Sequence, residues 1–526
     1  MVKRKKNIVL ATVSLLLLHI FLLSVNLEHS SDLLLPAIDP ALAAMLTEAM
    51  DALPDDEVTD VCGTLTIEGY NAPFDASAKT YYVPQSADRP EALDGMLSWS
   101  NPCAKIYLVT DDGSFDKRAA ILSGTVSRLL ICIGKEYFYR NIVFTGLPAI
   151  TISPDTKRTM LYNDEASTGG LVCIFDPAGA PDGGYIVTSS GMRYELRGNY
   201  SKGLDKPQYK ISFLSGNGKK SYENVLSLPR TDAILLSAQM MEQSKIRGCV
   251  SQTLWNELCE QSPGRGDFKT CNYVFAECFD SDGYLGLYGV MEHFPECESA
   301  LNAGDIFAKA YGRCSFCIVD STAPGLPGSD LYRFTAYQGL YRDLHDYVDL
   351  FGANAESASL SEQIRALSME NCIDFSLYTE LICGIDNMYT NFFLYAPATS
   401  NRIFRFYKIP WDCDRSFGHP FGDIIDTDMS LVTAHAISPE LYTLMKKDPS
   451  ISDILNERWA ELRKSVFSEE NVLKIINDNF TRITDSGAMA RDSRRWPECP
   501  NITSCETLIE FTRQRIAHLD ARYSLS

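Results

Sequence analysis

The pattern of hydrophobic and polar positions divides the chain into four parts. A continuous apolar run at residues 8–25 comes first, and an acidic stretch rich in Ala and Leu follows it up to residue 60. Short apolar alternations cut by turns fill residues 61–152, and this period of two predicts strands. From residue 153 onward, strand patterns give way to patterns of helical period. We therefore expect an α+β protein, with a small all-β sandwich-like module at 61–152 ahead of a larger domain at 153–526.

The larger domain is predicted to begin with strands and end in helices. In residues 244–259, Ile246, Val250, Leu254 and Leu258 lie on one helical face. The other elements follow from the same two periods. Strands are expected at residues 171–175, 192–196, 284–293, 391–395 and 402–409, and further helices at 439–447, 451–466, 469–483 and 505–523.

The first 28 residues carry a membrane-topology signal. Lys3, Arg4, Lys5 and Lys6 precede the apolar run, which as a helix would be about 27 Å long and could cross a bilayer core. Because no small-residue cleavage site follows closely, we expect an uncleaved signal-anchor with the bulk of the chain outside the cytoplasm. A cleaved signal peptide, which would make the protein secreted, is the alternative. Residues 29–60 would form a linker.

Charge and cysteine content narrow the classes of partner. The formal net charge of −20 argues against nucleic acid as the main partner, although a nucleotide can still bind where a site is locally basic or metal-bridged. Some of the sixteen cysteines are near neighbours, such as Cys271 and Cys278, but sequence does not determine their pairing. The Cys314-x-x-Cys317 pair lacks a second pair at zinc spacing.

Three carboxylates and a carboxamide collect within residues 381–418. Asp386 ends an apolar helical pattern, Asn391 begins a predicted strand, and Asp412 and Asp414 follow the second strand of an expected hairpin. Carboxylate and amide oxygens are ligands that Mg²⁺ takes beside substrate phosphates. In protein kinases a catalytic Asp, a metal-binding Asn and a metal-binding Asp occur in this same chain order. The alternative is structural, since Asp and Asn side chains in turns also satisfy backbone donors.

A candidate phosphate-binding segment lies earlier, at residues 197–213. A strand leads into the turn RGNYSKG and then into a strand with Lys206 and Lys210 nearby. Backbone N–H groups of such a turn can surround an anion while a lysine supplies positive charge. The pattern alone is weak, because an ordinary hairpin turn can have the same residues.

Four separated blocks of residues 153–522 resemble one protein family, and they occur in the order expected. A helical tail with Trp459 and Arg463 follows them. The blocks are RGNYSKGLDKPQYKISF, SKIRGCVSQTLWNEL, YLGLYGVMEHF and KIPWDCDRSFG. The chain is similar to the CotH-type spore-coat protein kinases, and the resemblance implies an atypical, reduced protein-kinase-like fold of two lobes with a helical C-terminal part.

The resemblance implies ATP and Mg²⁺ or Mn²⁺ as cofactors. Asp386 would be the general base that takes the proton of the acceptor hydroxyl. Asn391 and Asp412 would hold the metal, and Asp414 would be a second-metal or supporting carboxylate. Protein kinases usually have an Arg directly before the catalytic Asp, and this Arg links the site to a phosphorylated activation loop. No Arg precedes Asp386 here, so we expect activity without such phosphorylation.

The resemblance also places residues around the nucleotide. Lys206, which fits the Lys-x-x-Tyr pattern of the family, or Lys210, which lies more securely in a strand, would contact the phosphates. Glu292 would contact the base or ribose, with a strand-end ion pair as the alternative. The loop over the phosphates would consist of Arg197, Gly198, Asn199, Ser201 and Gly203.

The implied function is an atypical Ser/Thr protein kinase that acts on extracytoplasmic, coat or envelope proteins. Its partners would be ATP, a protein with Ser or Thr hydroxyls, and the membrane through the N-terminal anchor. Two alternatives stay open. One is a catalytically inactive surface binding protein, which the scarcity of ATP outside the cytoplasm favours. The other is a nucleotidyl transferase, because that chemistry needs the same metal–phosphate clamp.

Overall fold

A computed structural model gives the fold of most of the chain beyond residue 61. The predicted anchor and linker lie outside the described residues, and so does Asn199. Within the described part of the chain, no helix is both long and apolar enough to cross a membrane. The structure describes residues 62–85, 97–109, 124–134, 136–155, 168–178, 186–198, 200–261, 270–293, 304–312, 332–338, 341–352, 354–384, 386–388, 390–399, 404–418, 438–498 and 501–523.

Nineteen strands and nine helices are present in these ranges, together with short 3-10 helices that include Tyr200–Gly203 and Asp386–Met388. The strands are β1 (Leu65–Ile67), β2 (Tyr70–Asn71), β3 (Phe74–Asp75), β4 (Thr80–Pro84), β5 (Leu97–Trp99), β6 (Ala104–Val109), β7 (Val126–Ile133), β8 (Glu136–Thr145), β9 (Ala149–Pro154), β10 (Thr168–Asp176), β11 (Ile186–Leu196), β12 (Tyr209–Leu214), β13 (Ala233–Ser237), β14 (Val274–Asp280), β15 (Gly283–Glu292), β16 (Ile306–Gly312), β17 (Tyr332–Gln338), β18 (Phe392–Ala396) and β19 (Tyr407–Pro410). The helices are α1 (Arg247–Gln261), α2 (Tyr341–Phe351), α3 (Leu360–Ala366), α4 (Met369–Ile382), α5 (Pro439–Lys447), α6 (Ile451–Leu462), α7 (Glu469–Asp485), α8 (Ala488–Arg495) and α9 (Glu506–Arg522).

Two small sheets form the N-terminal β-module. One has the order β2-β1-β5, and the other has the order β3-β4-β8-β7-β6, in which β4 and β8 are parallel. Leu65 and Ile67 of the first sheet share a hydrophobic cluster with Val83, Leu129 and Ile142 of the second. The alternating pattern of residues 61–152 thus corresponds to two sheets around a common core.

Seven strands then close into a barrel with the order β9-β10-β11-β12-β13-β15-β14. Its interior is filled by side chains such as Val172, Ile211, Phe213 and Val290. The domain boundaries stay a prediction, but β9 spans the predicted boundary at residues 152/153 and pairs with β10 and β14 of the barrel. The same cluster that fills the β-module also contains Phe279 and Tyr284 of the barrel, so the module packs directly on it.

The remaining helices surround a four-stranded sheet with the order β17-β16-β18-β19. Helix α1 lies between the barrel and this part, and its Trp255 ring meets Phe375 and Tyr378 of α4 edge-on, with centroids 5.9 and 5.2 Å away. The four apolar residues predicted for one face of α1 are all buried. Asp520 of α9 accepts hydrogen bonds from Trp459 Nε1 and Arg463 Nε, both at 2.9 Å, which fixes the helical tail.

The predicted hairpin is confirmed, but its second strand is shorter than expected. β18 and β19 pair antiparallel, with Phe392 opposite Pro410. The strand was predicted to span residues 402–409, but within the described residues it begins at Tyr407. The backbone of Phe406 instead bonds to Ala366 and Ser368, at the junction of α3 and α4, so it is not available to β18.

Neither of the two cysteines considered as a pair forms a disulfide. Cys271 and Cys278 are both buried thiols, and Cys278 lies in the barrel core. None of the described cysteines is in a disulfide. Cys314 and Cys317 lie outside the described residues.

Candidate functional site

The hairpin brings two of the predicted metal ligands to one end of the sheet. Asn391 immediately precedes β18, and Asp412 is the second residue after the end of β19. The Trp411 amide donates a 2.9 Å hydrogen bond to the Asn391 carbonyl, which closes the open end of the hairpin. Asp386 begins a single 3-10 turn after α4, which ends at Cys383 in a left-handed conformation with φ of 55°. Asp386, Asn391 and Asp412, which are close together in the sequence, therefore also lie at the same end of the helical part.

Asn391 and Asp412 both have left-handed backbones, with φ of 51° and 54°. After glycine, Asn and Asp are the residues that adopt this region most readily. The Asp412 side chain is exposed and Asn391 is half-buried. Both residues therefore have left-handed backbones at a surface that a ligand can reach.

The carboxyl groups of this site lie close enough to affect one another's pKa. Burial raises the pKa of Asp386, and the Asp412 charge adds to this, while Arg415 opposes it from 3.8 Å away. Burial also raises the pKa of Asp414 to about 8, with the Asp412 carboxylate as the next cause. Like charges held together in this way favour binding of a cation.

The donor set fits a divalent metal that is also held by a substrate. Among the described residues, no group of three or more His, Cys, Asp or Glu side chains is arranged to hold a metal ion. Mg²⁺ commonly takes one or two carboxylates and completes its shell with phosphate oxygens and water. Asp412, with Asn391 and Asp414 beside it, matches this incomplete protein shell.

Asn387 connects the parts of the site and was not singled out by the sequence. Its side chain is fully buried. The carboxamide Nδ2 donates to the carbonyl oxygens of Asn391 and Trp411, each at 2.8 Å, and lies 3.4 Å from Cys413 Sγ. Its position one residue after Asp386 was the only available signal.

Lys309 is a second site residue that the sequence did not reveal. It lies in β16 opposite Phe393 of β18, and its Nζ is 5.8 Å from the centre of the Trp411 ring. Burial lowers the pKa of Lys309, the Asp412 charge opposes this, and Arg197 adds to the lowering. A single lysine in the apolar pattern IFAKAYG was a weak signal. The position of its amine depends on the strand with which β16 pairs, and the sequence does not show that pairing.

The predicted phosphate loop approaches the same site through Arg197. The Arg197 amide donates to the Gln208 carbonyl at 3.0 Å, and its charge acts on Lys309. Gly198 has a φ of 95°, and a Cβ there would lie 1.9 Å from Ser201 Oγ, so this turn requires glycine. Ser201 is half-buried and Gly203 is exposed, both in the 3-10 turn.

The two candidate lysines have different surroundings. Lys206 is fully buried, and its Nζ donates to Asp492 Oδ1 of α8 at 2.7 Å and to the Leu287 carbonyl at 2.6 Å. Lys210 is half-buried and alternates with the inward-facing Ile211, so it lies on the outer face of the barrel. Its register partners are Glu195 of β11 and Leu235 of β13, and Leu235 packs with α1.

Glu292 is bonded to an uncharged neighbour. Its carboxylate accepts hydrogen bonds from the Asn272 amide at 2.9 Å and from Asn272 Nδ2 at 3.1 Å. Burial raises the pKa of Glu292 to about 7, and the Asn272 contacts oppose the shift. Among the described residues no lysine forms an ion pair with Glu292, and its contact with the base or ribose stays a prediction.

A small polar pocket opens where the barrel, α1 and the carboxylates meet. Gln252 projects into it from α1, and its buried Oε1 has no hydrogen-bond partner. At the N-terminal end of this helix, Arg247 forms a buried ion pair with Glu242, as expected for a structural role. The pocket is lined by Ser237, Gln239, Gly248, Gln252, Tyr273, Met291, Trp411, Asp412, Cys413 and Asp414.

The fold and the site together define a mixed α+β protein with a carboxylate–carboxamide centre between a β-barrel and a helical part. The profile of a family described as CotH kinase protein matches residues 194–519. The match covers more than half of the chain and includes all the described site residues, so the chain belongs to the CotH kinase family. The resemblance inferred from the four sequence blocks is thereby confirmed. A search of curated proteins found no match.

Proposed function

We propose that this protein is an atypical Ser/Thr protein kinase that transfers the γ-phosphate of ATP to protein hydroxyls with Mg²⁺ or Mn²⁺. Membership of the CotH family indicates a kinase or phosphotransferase in general terms. The observation that carries the finer proposal is the grouping of the Asp386, Asp412 and Asp414 carboxyls with Asn391 at the hairpin end, where burial and the Asp412 charge raise the pKa of both Asp386 and Asp414. The barrel and the helical part would be the two lobes of the reduced kinase-like fold.

Asp386 is placed to act as the general base. In the proposed step, the acceptor hydroxyl oxygen bonds to the γ-phosphorus while the bond from that phosphorus to the β–γ bridging oxygen breaks. The hydroxyl proton goes to Asp386, and ADP leaves. Asp412 and Asn391 would hold the metal, which neutralises charge on the phosphates when it is bound. The raised pKa of Asp386 makes its carboxylate a stronger base than an exposed aspartate.

Positive charge for the phosphates would come from Arg197 and Lys309. Both act electrostatically at the Asp412 end of the site, and Gly198 shapes the loop that begins at Arg197. Of the two candidate lysines, Lys210 suits a phosphate contact better than Lys206, because the Lys206 amine is engaged in a buried ion pair with Asp492. The role of Glu292 near the base or ribose is retained as a proposal, through its carboxyl and the neighbouring Asn272.

Gln252, at the small pocket beside the carboxyls, offers one further contact for a bound nucleotide. Gln252 Oε1 is a buried acceptor without a partner, and a bound nucleotide or its water could donate to it. The proposed acceptors are extracytoplasmic, coat or envelope proteins. The protein's own proposed location, outside the cytoplasm, follows from the predicted N-terminal signal-anchor. A spore setting is suggested by the family name alone.

The test is transfer of label from ATP by the full-length chain with Mg²⁺ or Mn²⁺. ATP labelled at the γ- or the α-phosphate would be supplied in parallel, and both autophosphorylation and labelling of dephosphorylated casein would be measured. We expect transfer from the γ-position alone. Asp412→Ala should reduce it on the order of 10³-fold, since phosphoryl transfer depends on charge stabilisation at the phosphates, while the far-UV circular dichroism stays unchanged.

Other outcomes would redirect the proposal. Transfer from the α-position would identify a nucleotidyl transferase on the same clamp. Absence of transfer from either label by a folded protein that still binds ATP would identify a binding protein. Unchanged transfer in folded Asp412→Ala would remove this residue from the site.

A further inference from the structure

We propose that Asn387 is a positioning residue that holds Asn391 and Asp412 in the backbone geometry of the metal site. The role assigned to the metal rests on the proposed function, whereas the effect on the two backbones does not. Neither the sequence motifs nor the family match assigns a role to this residue. The inference comes from its contacts, its burial and the backbone conformation of the residues it holds.

The contacts of Asn387 are made to both arms of the hairpin end. Its Nδ2 reaches the carbonyl of Asn391 and the carbonyl of Trp411, which immediately precedes Asp412. The Asn391 carbonyl also accepts the Trp411 amide. One buried carboxamide thus joins the residue before β18 to the residue after β19, and Asn387 itself lies in the 3-10 turn that begins with Asp386.

The chemistry of these contacts requires an uncharged donor at this position. Both acceptors are carbonyl oxygens and cannot donate, so the NH₂ of the carboxamide must face them. The Asn387 Oδ1 is buried on the other side without a hydrogen-bond partner, and a Cβ at Gly384 would lie 2.9 Å from it. A buried acceptor without a partner costs stability. The burial of Asn387 is therefore better explained by the two carbonyl groups that its Nδ2 holds than by a gain in stability.

The backbone conformation at the site is what such a donor would hold. Asn391 and Asp412 both have positive φ, a region that Asn and Asp enter more readily than other side chains but less often than negative φ. Without the carboxamide, both backbones are free to change to the commoner negative φ values. The Asp412 carboxylate and the Asn391 amide would then change direction and lose their common ligand.

The test compares Asn387→Leu with a matched buried asparagine, Asn371, in the full-length chain. Leucine has a similar volume and no charge, so it removes the donors without adding a ligand. Asn371 is also buried in the helical part and bonds to the backbone of Lys408, through its Nδ2 at 3.1 Å and its Oδ1 at 2.7 Å, away from the site. Asn371→Leu therefore controls for the general loss of a buried amide. Asn387→Ser is a smaller change for the case in which Asn387→Leu does not fold.

Two readouts would be taken on the folded proteins. The first is Mn²⁺ binding followed by electron paramagnetic resonance of the unbound ion. We expect Asn387→Leu to weaken it by about 10- to 100-fold, the usual effect of removing a residue that orients metal ligands. The second is hydrogen exchange of the Trp411 amide, which should become faster in the Asn387 variants. Asn371→Leu should change neither.

The outcomes separate this inference from the proposed function. Unchanged Mn²⁺ affinity and unchanged Trp411 exchange in a folded Asn387 variant would overturn it, as would equal losses in Asn371→Leu. If the wild-type protein binds no Mn²⁺, the proposed metal site fails. Faster Trp411 exchange in that case would still support Asn387 as the residue that holds the two left-handed backbones, and unchanged exchange would overturn that as well.

Discussion

Two clusters of charged side chains in this protein differ in how their charges are balanced. Where the barrel meets α8, Lys206 pairs with Asp492 at 2.7 Å and Arg491 pairs with Glu277 at 2.8 Å, and all four side chains are buried. At the end of the β18–β19 hairpin, the carboxyls of Asp386, Asp412 and Asp414 act on one another instead of each having a close buried cation. The half-exposed Arg415 lies 3.8 Å from Asp386, and Lys309 and Arg197 act at the Asp412 end.

The comparison shows what distinguishes a structural cluster from a binding site. Opposite charges that pair one to one in the interior hold elements together, and their removal leaves an uncompensated charge. An excess of like charges at an accessible surface destabilises the free protein and is relieved when a cation binds. By this criterion the α8 cluster fixes the barrel to the helical part, and the hairpin end is the site that we propose for catalysis.

The largest expected effect is the loss of phosphate transfer when the proposed general base at the hairpin end is replaced. Asp386→Asn keeps the shape of the side chain but removes the proton acceptor, so transfer of the γ-phosphate should fall by roughly 10²–10⁴-fold, the contribution typical of general base catalysis. Mn²⁺-dependent ATP binding, measured by calorimetry, should persist. If transfer also persists in this variant, another group takes the proton.

The next effect tests whether the α8 cluster is structural. Lys206→Met leaves Asp492 buried without its cation, so we expect the free energy of unfolding to fall by about 3–5 kcal/mol in urea titrations. The double variant Lys206→Met/Asp492→Leu should recover much of this loss, because no buried charge remains unpaired.

Lys210→Met is the matched control for this prediction. Lys210 is half-buried on the outer face of the barrel, so its loss should change stability little and should weaken ATP binding instead. A stable Lys206→Met protein that has lost ATP affinity would reverse the assignment of the two lysines.

The smallest effect concerns Glu292, which belongs to neither cluster and bonds to the uncharged Asn272. With a pKa of about 7 in the folded protein and 4.5 as its ordinary value, it keeps its proton across a range in which the unfolded chain has lost it. Stability should therefore fall as the pH rises from about 4.5 to 7, by up to about 3 kcal/mol from this group.

Glu292→Gln should remove this contribution. Urea unfolding of the wild type and the variant at pH 5 and pH 8 gives the difference, in which the titration of other groups cancels. We expect the variant to gain stability relative to the wild type at pH 8. An equal difference at both pH values would mean that the pKa of Glu292 is not raised.

Most elements of the described chain could be predicted from the sequence, and so could the grouping of the carboxyls. The strand pattern at residues 192–196 and the helical period of residues 246–258 are local, and β11 and α1 lie there, although β11 extends back to Ile186. Asn391 and Asp412 meet because one hairpin joins them, and Asp386 directly precedes that hairpin, so their proximity is also a local property. The family match rests on motifs of the same kind.

What the sequence could not indicate depends on contacts between distant parts of the chain. Helix α8 was not predicted, because it is short and its sequence AMARDSRR is mostly polar. Its Asp492 nevertheless meets a lysine 286 residues earlier and takes Lys206 away from the site that its motif suggested. Lys309 enters the site only because β16 pairs with β18.

The sequence by itself thus determined the family, the secondary structure and the carboxylates that a hairpin brings together. The tertiary structure decided which cations accompany them. The reason is physical: hydrophobic period and turn chemistry act over a few residues, whereas the environment of a lysine depends on which strands and helices pack around its amine.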